Sequence, residues 1–322
     1  MFLNIIPIYL LLVPVIFGQN ITNTEIRWCT TNNKEQLKCQ TLITFMSDVP
    51  DLVKYNLKCI PGNGVFDCMS KMDKNEADIS TFDVGLGFHG YETYSLRPIA
   101  FENYADDNII KPDLTYDVEV VVPKGRGITP SNLKGRSVCS AGTGTAEGWV
   151  VPLSALIEMG EMEITKCNSI VQSVEGFFDV GCAPGALAEP FNMFGDNSLE
   201  MCLACKKQTA DGGFCTFNEQ FAWSHGALDC LQQYTSGNLS APRAGAQVPS
   251  LALVRAGEVQ SMAKDGLFQI DNYEYLCKTP QANGGYTVPI GLNATNNPCS
   301  WGTVSSRMIM TPMGRLTDVV QH

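Results

Sequence analysis

Most of the information about the fold is carried by the stretch Cys139-Ser-Ala-Gly-Thr-Gly-Thr-Ala-Glu-Gly-Trp149, together with two stretches that precede it. These are Phe82-Asp-Val-Gly-Leu86 and Leu96-Arg-Pro98, the second followed by Tyr104. Within the longest stretch, the pattern predicts a short strand, a tight Gly142–Thr145 loop and a helix that begins at Ala146. Free backbone N–H groups and the helix dipole converge at such a loop. The loop therefore predicts an anion-binding position, although most loops of this kind only turn the chain.

The start of the chain predicts secretion. Residues 1–18 carry no charge, and the run from Ile5 to Phe17 is almost entirely apolar and too short to span a bilayer. A secretory signal peptide over 1–18 fits this pattern better than a buried helix, because Pro7 and Pro14 interrupt it. All 13 cysteines follow this segment, which indicates a disulfide framework in an extracellular protein.

The composition of the rest of the chain excludes several partners. The formal net charge of −11 argues against nucleic acid and against an anionic membrane surface. No later apolar run is long enough to form a transmembrane segment. Sequons at Asn20, Asn238 and Asn293 predict surface glycosylation. These features favour a secreted glycoprotein.

Alternating strand and helix patterns run along the chain and favour an α/β fold. Residues 25–80 predict strand, helix, strand and helix in that order, and 117–122 is a clear strand. Further patterns predict a helix over 221–232 and strands over 251–255 and 273–276. The segment 183–213 is rich in loop residues.

The chain resembles one lobe of the transferrin family over about residues 27–307. Besides the three opening stretches, the resemblance rests on Arg27-Trp-Cys29, Asn75-Glu-Ala-Asp78, Leu133-Lys-Gly-Arg136, Cys182-Ala-Pro184, Gly226-Ala-Leu-Asp-Cys-Leu231 and Cys299-Ser-Trp-Gly302. It implies two α/β domains hinged around a ligand cleft, as in periplasmic binding proteins. The expected boundaries are 24–104 plus 305–322 for the first domain and 105–304 for the second.

The family holds ferric iron with one Asp, two Tyr and one His. Matched residue by residue, the Asp falls on Asp83 and the hinge Tyr on Tyr104, whereas the second Tyr falls on Ser224 and the His on Arg307. Hard Fe(III) prefers anionic oxygen donors, and a guanidinium cannot deprotonate to become a ligand. The resemblance therefore implies two remnant metal ligands and a degenerate site.

The family also holds a carbonate with an Arg, a Thr and a helix N-terminus. The Arg position falls on Thr145 and the Thr position on Ala141, so the Gly142–Thr145 backbone alone remains as the anion cradle. We expect Fe(III) with carbonate to bind weakly if it binds. We also expect Arg307 to turn into the cleft and pair with Asp83, since a buried aspartate needs a partner.

Two alternative metal-binding interpretations remain open, one for a histidine and one for a pair of cysteines. His225 lies beside Ser224 and could replace a ligand, although a histidine on a helix face is the plainer interpretation. Cys202-Leu-Ala-Cys205 could be half of a zinc ribbon, although no second pair exists. The resemblance instead implies the disulfides Cys29–Cys68, Cys39–Cys59, Cys139–Cys230, Cys182–Cys205 and Cys277–Cys299, with Cys202–Cys215 as a sixth pair. Cys167 is left as a free thiol or an intermolecular bridge.

Two classes of function follow from the resemblance. The first is a secreted carrier lobe with weak or altered binding of iron or a small anion. The second is an extracellular interaction protein, a matrix component or enzyme inhibitor, that keeps the fold without the metal. An enzyme is disfavoured, because Ser224 and His225 are adjacent on one helix and cannot face each other. The sequence ends before the helices that close the family's first domain, so a shortened lobe or a fragment is expected.

Overall fold

The structure is a computed structural model that describes residues 25–49, 52, 55–103, 114–206, 214–292, 299–316 and 319. Its described part is a mixed α/β structure with two sheets. The strands are β1 Glu25–Thr30, β2 Asn56–Pro61, β3 Ile79–Phe82, β4 Leu96–Phe101, β5 Thr115–Pro123, β6 Ser137–Ser140, β7 Gly181–Cys182, β8 Pro249–Arg255, β9 Tyr273–Leu276, β10 Thr287–Pro289, β11 Gly302–Ser305 and β12 Met308–Pro312.

The helices lie between these strands, as the alternating pattern predicts. They are α1 Asn33–Asp48, α2 Val65–Asp73, α3 Val84–Tyr94, α4 Val151–Glu158, α5 Ile170–Glu175, α6 Trp223–Thr235 and α7 Glu258–Lys264. A single π-helical turn, Ala146–Val150, precedes α4. The strand, loop and helix expected over 137–150 are therefore present, with the first helical turn wider than an α-helix.

The first domain is built on a five-stranded sheet in the order β2-β1-β3-β12-β4. β1 pairs in parallel with β2 and β3, whereas β12 runs antiparallel to β3 and β4. One apolar core packs α2 and α3 on this sheet and includes Met69, Phe82, Leu86 and Met308. The core also contains Phe217 from the second domain, so the two domains are packed together across the cleft.

The second domain is built on a seven-stranded sheet, with the path β10-β9-β5-β8-β6-β7 and β11 also paired to β5. β5 is central, and Val120, Val121 and Val122 are all buried. A strand covered on both faces needs a continuous apolar run rather than an alternating one, which is what this segment provides. The transferrin-type two-domain architecture expected from the sequence is confirmed.

Two connections join the sheets at the hinge, from β4 to β5 and from β11 to β12. The described ends of the first connection bond to the second connection. The Glu102 amide donates to the Arg307 carbonyl at 2.8 Å, and the Ser306 amide donates to the Leu114 carbonyl at 2.8 Å. The hinge therefore fixes the backbone of Arg307 at the base of the cleft.

Disulfides join the six cysteine pairs that the resemblance implies, including Cys202–Cys215. Cys167 is exposed and has no disulfide partner among the described residues. The Cys139–Cys230 bond ties β6, which precedes the glycine loop, to α6, which carries Ser224. In the part of the chain that the structure describes, no helix is both long and apolar enough to cross a bilayer.

Glu219 lies among the disulfides of the second domain and gives a testable pH dependence. Its side chain is 4% exposed, and burial raises its pKa from 4.5 to about 8. The folded protein therefore keeps this proton at neutral pH, whereas the unfolded chain releases it. The contribution of protonated Glu219 to the free energy of unfolding is fully present below pH 4.5. It is lost as the pH rises to about 8, at up to about 1.4 kcal/mol per pH unit.

We expect Glu219→Gln to flatten the fall in unfolding free energy between pH 5 and pH 8, because a neutral amide has no proton to lose. Urea unfolding at each pH measures the slope. Glu163→Gln, at an exposed position, is the matched control and should keep the slope of the unmodified protein. Equal slopes in the two variants would show that Glu219 is not the group responsible.

Candidate functional site

Asp83 connects the two sides of the cleft. It directly follows β3 and caps α3, because its Oδ1 accepts a hydrogen bond from the Gly85 amide at 2.9 Å. The same oxygen accepts from the Ala146 amide of the second domain at 2.8 Å. The side chain is 2% exposed. One carboxylate oxygen thus satisfies a helix end in each domain and holds the cleft closed at this point.

Glu147 places a second carboxyl group against Asp83. Tyr116, at the start of β5, lies with its hydroxyl 3.0 Å from Glu147 Oε2 and 3.3 Å from Asp83 Oδ2. Both carboxyl groups are buried. Burial and the neighbouring charge of Glu147 raise the pKa of Asp83 well above its usual range. Asp83 therefore holds its proton to a higher pH than an isolated aspartate does, since burial and a nearby negative charge both disfavour its ionised form.

The Gly142–Thr145 loop lies where the sequence predicts, at the start of the π-helical turn. Its polar groups bond within the protein. The Thr143 amide donates to the Pro184 carbonyl at 2.8 Å, and the Gly148 amide donates to Thr145 Oγ1 at 3.1 Å. Thr145 Oγ1 in turn donates to the Gly142 carbonyl at 2.8 Å. Thr145 therefore caps the helical turn at which the transferrin family is expected to bind its anion. Anion binding by the Gly142–Thr145 loop stays a prediction.

Trp223 shapes the wall of the cleft beside Ser224. Its backbone has φ +65°, a conformation that a bulky residue seldom adopts, and its amide donates to the Ala141 carbonyl at 2.7 Å. The indole N–H donates to the Phe217 carbonyl at 3.2 Å. Ser224 is buried, and its Oγ accepts from the Arg255 amide at 2.9 Å. The Ser224 hydroxyl, at the position where the family is expected to have a tyrosine ligand, thus already accepts a hydrogen bond within the protein.

Arg307 does not take the position expected for it. Its guanidinium carbon lies 4.9 Å from the centre of the Trp223 ring, a cation–π contact. Among the described residues no ion pair joins it to Asp83, although its positive charge acts to lower the pKa of that carboxyl. The expected Arg307–Asp83 pair is therefore replaced by stacking on the indole. The raised pKa of Asp83 reduces its need for a cationic partner, because the neutral form of the carboxyl carries no charge to compensate.

Several predicted positions lie outside this arrangement. Tyr104, Asn20 and Asn293 fall outside the described residues. Asn238 is exposed in the turn after α6. His225 Nδ1 lies 3.5 Å from Glu258 Oε1, with the imidazole about half exposed.

No motif in the sequence singles out Tyr116 or Trp223 as a site residue. Tyr116 begins the clear strand pattern of β5, and Trp223 stands next to Ser224. Position alone could have drawn attention to both residues, but nothing in the residue types indicated their contacts.

A cavity of about 320 Å³ opens beside the acid pair, between the start of α1, the hinge and the start of α6. Arg307 and Arg255 both line it, together with Tyr116 and Trp223. The Arg255 guanidinium carbon lies 5.0 Å from the centre of the Tyr116 ring. Each of these two arginines therefore stacks on an aromatic ring at the base of the cleft.

The described residues do not fit a ferric site of the family type. Asp83 accepts a hydrogen bond from the Ala146 amide, and Ser224 accepts one from the Arg255 amide. Arg307 brings a fixed positive charge to the position of a metal ligand. A different cluster, Cys182, Cys205 and Glu219, has metal-like spacing. Its two sulfurs are joined in a disulfide, so they are not thiolate ligands. The half zinc ribbon considered for Cys202 and Cys205 is wrong for the same reason, because both form disulfides.

Comparison with known proteins agrees with this architecture. A family model described as transferrin matches residues 26–283. Ovotransferrin of Gallus gallus is 29% identical over 288 residues, which cover 88% of this chain and 35% of that protein. Transferrin 2 of Drosophila melanogaster is 29% identical over 308 residues, with 91% and 33% covered. An inhibitor of carbonic anhydrase from Sus scrofa is 28% identical over 256 residues, with 79% and 32% covered. The chain spans about a third of the length of these relatives.

Proposed function

Because the chain belongs to the transferrin family, we propose that it is a secreted binding lobe with a degenerate ferric site. Its cleft binds small anions, and iron with carbonate at most weakly. The observation that carries this proposal is the Asp83 carboxylate, which bonds across the cleft to the Ala146 amide and lies against Glu147. The protein's own groups thus make the contacts through which a bound metal would hold the two domains together.

Charge at the base of the cleft supports the same function. Arg307 stands at the expected histidine position, and Arg255 lines the same cavity. Cations are repelled by fixed guanidinium groups, whereas carboxylates and phosphates bond to them well. Secretion is supported by the apolar segment 1–18 and the six disulfides, and glycosylation by exposed Asn238. No catalytic constellation is proposed.

A ferric titration with bicarbonate tests the degenerate site. We expect the unmodified protein to show no carbonate-dependent visible band from tyrosinate bonded to iron, because the described residues offer too few free anionic oxygens. The readout is the visible absorbance band that a phenolate bonded to ferric iron produces. Tight binding with that band would contradict the proposal.

A second candidate function is an extracellular interaction protein. Phe88 of α3 is 66% exposed, and Met193 and Phe194 are 75% and 69% exposed. The rings of His89 and Phe191 contact each other, with centroids 6.3 Å apart, so the two segments that carry these exposed residues lie next to each other. Exposed apolar groups of this kind are typical of a partner surface. A carbonic anhydrase inhibition assay tests one such role, which the name of one relative suggests.

A further inference from the structure

We propose that the disulfides Cys182–Cys205 and Cys202–Cys215 form a thiol–disulfide exchange site, in which Glu219 is the proton donor to a reducible bond. The site lies in the second domain, where β7 ends at Cys182. It accepts electrons from a dithiol reductant and uses none of the cleft side chains. This activity is therefore separate from the binding of anions or metal in the cleft.

The four sulfurs and the Glu219 carboxyl group form one buried cluster. Glu219 is 4% exposed, and none of the four cysteines is more than 5% exposed. Cys205 Sγ lies 3.9 Å from Cys215 Sγ, so the two disulfides approach each other closely. At the other end of the first disulfide, Glu219 Oε1 lies 3.1 Å from Cys182 Sγ. A carboxyl group and a second disulfide therefore flank the two sulfurs of the Cys182–Cys205 bond.

The contact between Glu219 and Cys182 depends on a proton on the carboxyl group. A sulfur in a disulfide carries no hydrogen, so in this contact only the carboxyl group can donate. Burial raises the pKa of Glu219 to about 8, so the group carries its proton at neutral pH. Its Oε2 accepts a hydrogen bond from the Lys206 amide at 3.0 Å, which fixes its position. Glu219 is therefore held where it can protonate a departing Cys182 thiolate.

Two other titratable groups act on Glu219 in the part of the chain that the structure describes. Burial has the largest effect on the pKa of Glu219, and the positive charge of Lys206 acts in the opposite direction. The Tyr234 hydroxyl donates to the Ala204 carbonyl at 3.2 Å, and its pKa is raised by burial and by the charge of Glu219. Tyr234 therefore stays neutral over the pH range in which Glu219 loses its proton.

Reduction of the first disulfide begins at Cys205, which is 5% exposed whereas Cys182 is fully buried. One thiolate of the dithiol attacks Cys205 Sγ, the disulfide bond breaks, and Cys182 leaves with the electron pair and takes the proton of Glu219. The second thiol of the reductant loses its proton to water and displaces Cys205 as a thiolate. The dithiol leaves as its own disulfide, so two electrons have passed to the protein, and Glu219 regains a proton from water.

The Cys205 thiolate then lies beside the second disulfide. It attacks Cys215 Sγ, which lies 3.9 Å away, and Cys202 leaves with the electron pair and takes a proton from water. The product has a Cys205–Cys215 disulfide and thiols at Cys182 and Cys202. Simple reduction would instead leave thiols at Cys182 and Cys205, so the positions of the free thiols identify exchange.

Limited reduction of the full chain with dithiothreitol, followed by alkylation and peptide mass spectrometry, tests the inference. We expect the first new thiols, beside the free Cys167, at Cys182 and Cys202. The Cys139–Cys230 disulfide is the control, because it lies in the same domain and both of its cysteines are fully buried. The thiols of the exchange site should appear at least about 10-fold faster than those of the control.

Glu219→Gln removes the proton donor, because an amide cannot give a proton to a leaving thiolate. It should slow the opening of the Cys182–Cys205 bond at pH 7 by roughly 10- to 100-fold. In the unmodified protein, the rate per attacking thiolate should fall as the pH rises through about 8, whereas in the variant it should not change with pH. Glu163→Gln, at an exposed position, should behave like the unmodified protein.

A variant that is merely less stable would be reduced faster, at the exchange site and at Cys139–Cys230 alike, so a structural role of Glu219 gives the opposite sign. That result would overturn the inference. First thiols at Cys182 and Cys205, or an exchange site that opens no faster than the control disulfide, would overturn it as well.

Discussion

Gly85→Ala is expected to open the cleft while leaving both domains folded. Gly85 lies in the first turn of α3, and an added Cβ would clash with the Gly144 carbonyl oxygen and lie 3.0 Å from the Ala146 amide nitrogen. Both are backbone atoms of the other domain and cannot rotate away. Overpacking of this kind costs about 1–3 kcal/mol, which changes the ratio of open to closed molecules by roughly 5- to 150-fold.

Small-angle scattering measures this opening. The radius of gyration is about 20 Å for a compact chain of this length, and it should rise in the variant. Gly87→Ala, in the same helix, is the matched control, because its Cβ would meet the flexible end of Met308 within the first domain. An unchanged scattering curve for Gly85→Ala would mean that the two domains do not touch at this point.

Rebuilding the lost ligands is expected to produce the largest gain of function. The combined variant is Ser224→Tyr, Arg307→His and Thr145→Arg, with Trp223→Gly added because the indole occupies the cleft wall with φ +65°. Loss of a residue that only orients a metal ligand changes metal affinity by roughly 10- to 100-fold, so restoring three site residues should raise ferric affinity by at least about 1,000-fold. The measurement is a carbonate-dependent visible band in a ferric titration.

Trp223→Gly alone is the control for this variant, since it frees space without adding a ligand. It should not bind iron. Circular dichroism establishes that the combined variant is folded. A folded combined variant without the iron band would show that the substituted residues are not what prevents ferric binding in the unmodified protein.

The sequence predicts the architecture well because the signals for it are local. The valine run of β5, the glycine loop before Ala146 and the α6 pattern each depend on neighbours within a few residues. The two-domain fold is confirmed by the two sheets and by the family match over residues 26–283. The disulfide network of the structure also has the pairing that the resemblance implies.

The contacts inside the cleft could not be predicted in the same way. The sequence predicts that Arg307 neutralises Asp83, but Asp83 lies against Glu147, which raises its pKa, and Arg307 stacks on the ring of Trp223. Both partners come from distant parts of the chain, and their geometry depends on how the domains close. The positive φ of Trp223 is also invisible in the sequence, because a residue with a large side chain is not expected there.

Small-angle scattering of the unmodified protein in a strong chelator tests most directly whether the cleft is closed by the protein's own groups. We expect a compact curve that matches the closed structure, and no change when ferric iron and bicarbonate replace the chelator. The Asp83–Ala146 contact and the packing of Phe217 in the first domain provide this closure. An expanded curve in the chelator that becomes compact on addition of ferric iron with bicarbonate would contradict it.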